Sequence, residues 1–126
     1  MEFKKLYKGL SDGHRVRILN LLEDGPLCVC HLMEILSLDQ VKVSKQLRYM
    51  KELGLVDGER QAQWMVYRLL EPEHPLLARN LECLREAGEA ELPLVEDQKK
   101  RAAILERIER DQDPCPDLEG ATCCAR

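Results

Sequence analysis

Aromatic residues are scarce in this chain: one Trp, three Tyr and one Phe among 126 residues. Its core must therefore come mostly from Leu, Ile and Val. No apolar run approaches the roughly 18 to 20 residues of a membrane span. Residues 1–24 carry lysines but no uninterrupted apolar stretch and no small-residue cleavage site, so they do not read as a secretory signal. The expected address is the cytosol, with no membrane partner. There is no internal repeat. There is also no excess of positive charge: the net charge is −4, which argues weakly against a nucleic-acid partner. Neither a Cys-x-x-Cys at a strand–helix junction nor an anion-cradling loop ending in Arg is visible, so a thiol enzyme is not expected.

What the chain does contain is 44% apolar and 33% charged residues, the composition of a small soluble helical domain. A domain of this size buries a modest core, and symmetric association would add buried surface. Its six cysteines are clustered rather than spaced as a disulfide framework: Cys28 with Cys30, Cys115 with Cys123 and Cys124, and a lone Cys83. In a reducing compartment such clusters point to metal or redox chemistry. Charge is clustered too. Residues 42–51 hold Lys42, Lys45, Arg48 and Lys51 with no acid, whereas residues 71–97 hold eight acids against Arg79 and Arg85. A local basic face is what phosphate contacts require, although a solvated helix face would look the same.

Along the chain, Phe3, Leu6, Tyr7 and Leu10 predict a first amphipathic helix. Ser11 and Asp12 offer caps for a second over 14–23, which Gly25-Pro26 ends. A third helix is expected to begin within 28–30 and end near Ser37. A fourth should start after Asp39 and run to Leu53, with Gly54 as its left-handed cap and Val43, Leu47 and Met50 as its buried stripe. Leu55-Val56 and residues 64–70 read as a hairpin across a polar tip at 57–63. A fifth helix is expected over 76–91 with Cys83 in its core stripe, and a last one over 95–110. Ala102, Ala103, Ile104, Leu105 and Ile108 give that last helix too little apolar surface to stand alone, so it should lie against a partner helix. Residues 111–126 lack periodicity. The expected divisions are 1–92, a C-terminal helix at 93–110 and a Cys-rich flexible tail at 111–126.

Four stretches then carry a resemblance: Leu10-Ser11-Asp12 with Arg17-Ile18-Leu19; Leu27-Cys28-Val29-Cys30-His31-Leu32; Lys42-Val43-Ser44-Lys45-Gln46-Leu47; and Trp64-Met65-Val66-Tyr67-Arg68-Leu69. In that order they resemble the ArsR/SmtB family of metal-responsive winged-helix repressors, over about residues 3–92. The resemblance implies a mainly α fold with a small β-hairpin, a homodimeric winged helix-turn-helix. The Leu-Cys-Val-Cys stretch looks like the arsenic-responsive branch, whose members bind arsenite or antimonite through thiolates and then leave the operator DNA of a detoxification operon. Two positions depart from the pattern: Met33 stands where a third cysteine commonly follows, and Ala62 replaces a glycine at the hairpin tip.

Soft ions favour thiolates, and a helix N-terminus stabilises the thiolate form. Cys28 and Cys30, two residues apart, point about 200° apart on an ideal helix, so they can share one ion only where the helix has not yet begun. A trivalent arsenic centre prefers three thiolates. Cys115, Cys123 or Cys124 could supply the third, within one chain or across the dimer, or those three could form a site by themselves. His14, His31 and His74 are scattered and form no zinc-type pair; His31 can be a solvent-facing helix residue, and Met33 reads as core. For DNA, Lys42, Lys45 and Arg48 are candidates for phosphate or guanine, Gln40, Ser44 and Gln46 for base edges, and Arg60, Gln61 and Gln63 for the wing. The competing readings are a repressor of the same fold answering cadmium, lead, zinc or oxidation, and a thiol metal buffer that binds no DNA.

Overall fold

The computed structural model describes residues 3–61, 64–87, 91 and 93–111. Helix α1 (Phe3–Leu10) leads into α2 (Gly13–Glu23), a two-residue strand β1 (Leu27–Cys28), α3 (Val29–Leu36) and α4 (Gln40–Glu52). The hairpin β2 (Val56–Gln61) and β3 (Trp64–Leu69) follows, then α5 (Pro75–Ala87) and α6 (Leu94–Asp111).

The helix starts are set by side chains that satisfy otherwise orphaned amides. Asp12 accepts from the amides of His14 and Arg15 at 2.9 and 3.2 Å, and Asp39 accepts from Lys42 N at 2.9 Å. Between α3 and α4 the chain reverses at Ser37, which adopts a left-handed conformation with φ 56°. Its amide and that of Leu38 both donate to the Met33 carbonyl. Gly54, at φ 76°, turns the chain out of α4 into the hairpin.

The core is aliphatic, as the shortage of aromatics requires. Ile18, Leu19 and Leu21 of α2 meet Leu32 and Ile35 of α3, Val43, Leu47 and Met50 of α4, and Leu55 and Val56 at the hairpin base, all essentially without solvent contact. Trp64, Met65 and Tyr67 pack on this core only in part.

Several expectations need correction. The hairpin is longer than its apolar segments suggest: β2 continues through Gln61, pairing Gly58 with Tyr67 and Gln61 with Trp64, so only residues 62 and 63 separate the strands. Gly58 makes room for this, because a Cβ there would lie 2.8 Å from the Tyr67 ring. The hairpin also gains a third strand. Leu27 pairs with Tyr67 and Cys28 with Val66, giving the antiparallel order β1-β3-β2. Cys83 is exposed rather than core, because the buried stripe of α5 is Leu77 and Leu81. His31 is buried, not solvent-facing.

The helices that α6 lies against are α2 and α3 of its own chain, and its buried stripe is not the expected apolar set. Leu94, Asp97, Arg101 and Ile104 face inward at helical spacing, while Ala102, Ala103 and Leu105 face out. Two charged residues sit in such a stripe, Asp97 fully paired and Arg101 partnered through Nη2 while its buried Nε has no hydrogen-bond partner among the described residues. Arg17 meets Asp97 through two 2.8 Å hydrogen bonds, and that bond raises the Arg17 guanidinium above its ordinary pKa against the opposing effect of burial. Arg101, whose pKa burial lowers, donates to the Asp24 carbonyl at 3.1 Å and so caps the end of α2. Further along, Arg107 makes two 3.0 Å hydrogen bonds to the carboxylate of Glu34 on α3. No helix among the described residues is long and apolar enough to cross a membrane.

Candidate thiol site and nucleic-acid interface

The Gly25-Pro26 corner delivers the chain to β1 in an extended conformation, and the change to helix falls between the two cysteines. Cys28 has φ −72° and ψ 151° and acts as the N-cap of α3; Cys30 lies in the first turn. The Cys30 amide donates to Cys28 Sγ at 3.4 Å. The extended backbone at Cys28 removes the angular objection to two cysteines spaced i and i+2. Both residues are buried, at 5% and 0% exposure, so the pair sits beneath the surface rather than on it. Both sulfurs are disulfide-bonded in this structure, and Cys83 on α5 is free. Among the described residues no three His, Cys, Asp or Glu side chains cluster as a metal site. Cys115, Cys123 and Cys124 lie outside the described residues. Once reduced, the two thiols at a helix N-terminus would suit a soft ion, and Leu27, Val29 and Leu32 belong to the same buried core. Met33 is buried in the same core.

Cys28 is also joined to both halves of the second candidate site. Through α3 and the Ser37 turn it leads to α4; through its pairing with Val66 it borders the hairpin. On α4 the buried stripe of Val43, Leu47 and Met50 turns the opposite ridge outward. Lys42, Lys45 and Arg48 are exposed there, and Gln40 and Ser44 are half-buried. At the other end, Arg60 and Gln61 are exposed on the last two residues of β2; Gln63 lies outside the described residues. Lys51 and Arg68 approach Asp57 at 3.9 and 4.0 Å, tying the end of α4 to the base of the hairpin.

Gln46 is used differently from its neighbours. Its Oε1 accepts from Arg15 Nη1 at 2.9 Å. Arg15 also donates to the Gly9 and Lys8 carbonyls at 2.7 and 3.1 Å, and its guanidinium lies 4.2 Å from the centre of the Tyr49 ring. One side chain thus fastens α1, α2 and α4 together. Nothing local in the sequence marks Arg15 for this, since its α4 partners Gln46 and Tyr49 lie 31 or more positions away. Lys45, Arg48 and Tyr49 border a cleft of about 400 Å³ beside it.

A helix-turn-helix carrying an outward basic helix and followed by a β-hairpin defines a winged-helix protein of the DNA-binding class. Residues 12–57 match the family described as "Bacterial regulatory protein, arsR family". The chain is 36% identical over 107 residues to the arsenical resistance operon repressor of Escherichia coli K12, covering 84% of each protein. It is 41% identical over 71 residues to the arsenic resistance transcriptional regulator ArsR1 of Pseudomonas putida; that match spans 56% of this chain but only 55% of the relative. HlyU from Vibrio cholerae superimposes with a TM-score of 0.58 at 29% identity, covering 65% of this chain and 86% of that one. The chain belongs to the ArsR family, whose members are transcriptional regulators rather than enzymes.

Proposed function

We propose that this chain is a homodimeric transcriptional repressor that holds operator DNA and releases it when arsenite or antimonite binds cysteine thiolates, derepressing a detoxification operon. The observation that carries this reading is the position of Cys28. It caps α3 and stands opposite Val66 of β3 in the sheet, so a change at its sulfur would act on the scaffold of α4 and on the hairpin together. Similarity to arsenic resistance regulators supports the choice of ion.

In the reduced protein, Cys28 and Cys30 supply two thiolates, and one of Cys115, Cys123 and Cys124 the third. Each thiol replaces one hydroxyl of arsenous acid and releases one water, with no change of oxidation state. Arsenite is the inducer here, not a resident cofactor, and no organic cofactor is involved. The cytosol would keep the thiols reduced. On the DNA, two α4 helices of a dimer would enter successive major grooves about 34 Å apart. Lys42, Lys45 and Arg48 would meet phosphates or guanine, Gln40 and Ser44 base edges, and Arg60 and Gln61 the backbone near the wing. Gln46 would act by holding α4 through Arg15.

Fluorescence polarisation of a duplex selected from the protein's own upstream region tests this, with arsenite and then cadmium added to the reduced chain. Arsenite should release the wild type and leave Cys28→Ser/Cys30→Ser bound. Release that persists in the double variant would move the site to Cys115, Cys123 and Cys124. Release by cadmium alone would change the ion, and operator affinity unchanged at saturating arsenite would sink the mechanism.

A further inference from the structure

Val41 stands in the first turn of α4 and is 77% exposed. The other large exposed apolar residues among those described, Phe3, Tyr7 and Leu105, lie on α1 and α6. Folding does not explain a valine at this position. It buries almost nothing, and a β-branched residue has a lower helix propensity than the Gln or Lys beside it. What Val41 shares is a ridge: Val41, Ser44, Lys45 and Arg48 are spaced i, i+3, i+4 and i+7, on the side of α4 opposite Val43, Leu47 and Met50. The Asp39 cap starts the helix only two residues earlier, so Val41 belongs to the end of α4 that points at base edges when such a helix enters a major groove.

We infer that Val41 is a specificity-determining residue that packs against the C5-methyl group of a thymine in the operator. The inference rests on the DNA-binding reading above. In the major groove the thymine methyl is the apolar feature of an otherwise polar base-pair edge, and an apolar side chain is its natural complement. Lys42 and Lys45, exposed beside Val41 on α4, supply the charge that draws the phosphate backbone in. They hold the valine against the groove without competing for the methyl. Lysine or glutamine at position 41 would add a contact but lose this discrimination.

Substitution of thymine by deoxyuridine, which removes only the methyl, tests the assignment. The full chain is used to select a bound duplex from a random pool. Each thymine of that duplex is then replaced singly by deoxyuridine, and binding is measured at fixed salt for wild type and Val41→Ala. At one thymine in each half-site the replacement should weaken wild type about fourfold, the worth of one desolvated methyl. Val41→Ala should lose a similar factor on the unmodified duplex and show no further loss at that thymine, with unchanged thermal unfolding. Equal sensitivity of both proteins at every thymine, or no sensitivity in wild type, would overturn the inference and leave DNA binding intact. Recovery of no bound duplex would overturn the DNA-binding reading, and this inference with it.

Discussion

Arg17 Nε and Nη2 each lie 2.8 Å from a different carboxylate oxygen of Asp97, so α2 and α6 are joined by a two-pronged charged contact. The Asp97 side chain is 1% exposed and that of Arg17 22%. Burial of this kind makes the pair costly to break singly, because a lone buried carboxylate keeps its desolvation penalty and loses its partner. Arg17→Met should therefore destabilise the fold by about 2 kcal/mol, at the lower side for such pairs because Arg17 keeps some solvent. Arg17→Met/Asp97→Leu should regain most of that loss. Urea unfolding of the three proteins at neutral pH checks both points, and a double variant no more stable than Arg17→Met would contradict them.

Gln46 offers a test of whether a residue on α4 reads DNA or positions the helix that does. Because its amide oxygen accepts from Arg15, Gln46→Ala and Arg15→Ala remove the same interaction from opposite ends. Each should weaken operator binding several-fold and lower the melting temperature by a few degrees. Combined, they should cost less than the sum of the two. Strict additivity on DNA, with no change in melting temperature for Gln46→Ala, would instead make Gln46 a base contact.

Ser37 is the non-glycine residue with positive φ among those described, and it lies in the turn between α3 and α4. A side chain in the left-handed region is strained by its Cβ, and glycine is not. Ser37→Gly should stabilise the domain by about 0.5 kcal/mol once the extra freedom of the unfolded glycine chain is set against the relieved strain. Thermal melting would show it; a drop in stability would mean that the Ser37 side chain does more than tolerate the turn.

How much of this was legible beforehand depended on whether the deciding contact was local. Helix limits were visible at Asp12, Gly25-Pro26, Asp39 and Gly54, because caps and breakers act on neighbours within a turn. The start of α3 at the cysteines was readable for the same reason. Strand β1 was not: two residues have no periodicity, and their partners Tyr67 and Val66 are far along the chain. The inner face of α6 is not legible from a hydrophobic count, which cannot register Asp97 and Arg101, partnered by Arg17 of α2 and by the Asp24 carbonyl just past its end. Cys83 shows that an apolar residue type does not fix an inward direction: Leu81, two residues earlier, holds the buried side of α5, which turns Cys83 outward. The sulfur pair could be singled out from adjacency alone. The tie from Gln46 to Arg15 required the fold.

The hydrogen bond from the Cys30 amide to Cys28 Sγ has a further implication. A sulfur that accepts from an amide shares its electron density with the first turn of the helix it caps. Were an incoming ion to claim that density, the turn would lose its anchor as the bond to the ion forms. On the proposed mechanism, once the disulfide seen here is reduced, ion binding and loosening of this turn would be coupled directly at Cys28. In such an arrangement sensitivity and structural integrity trade directly against each other: a residue that capped α3 better would hear the signal less well.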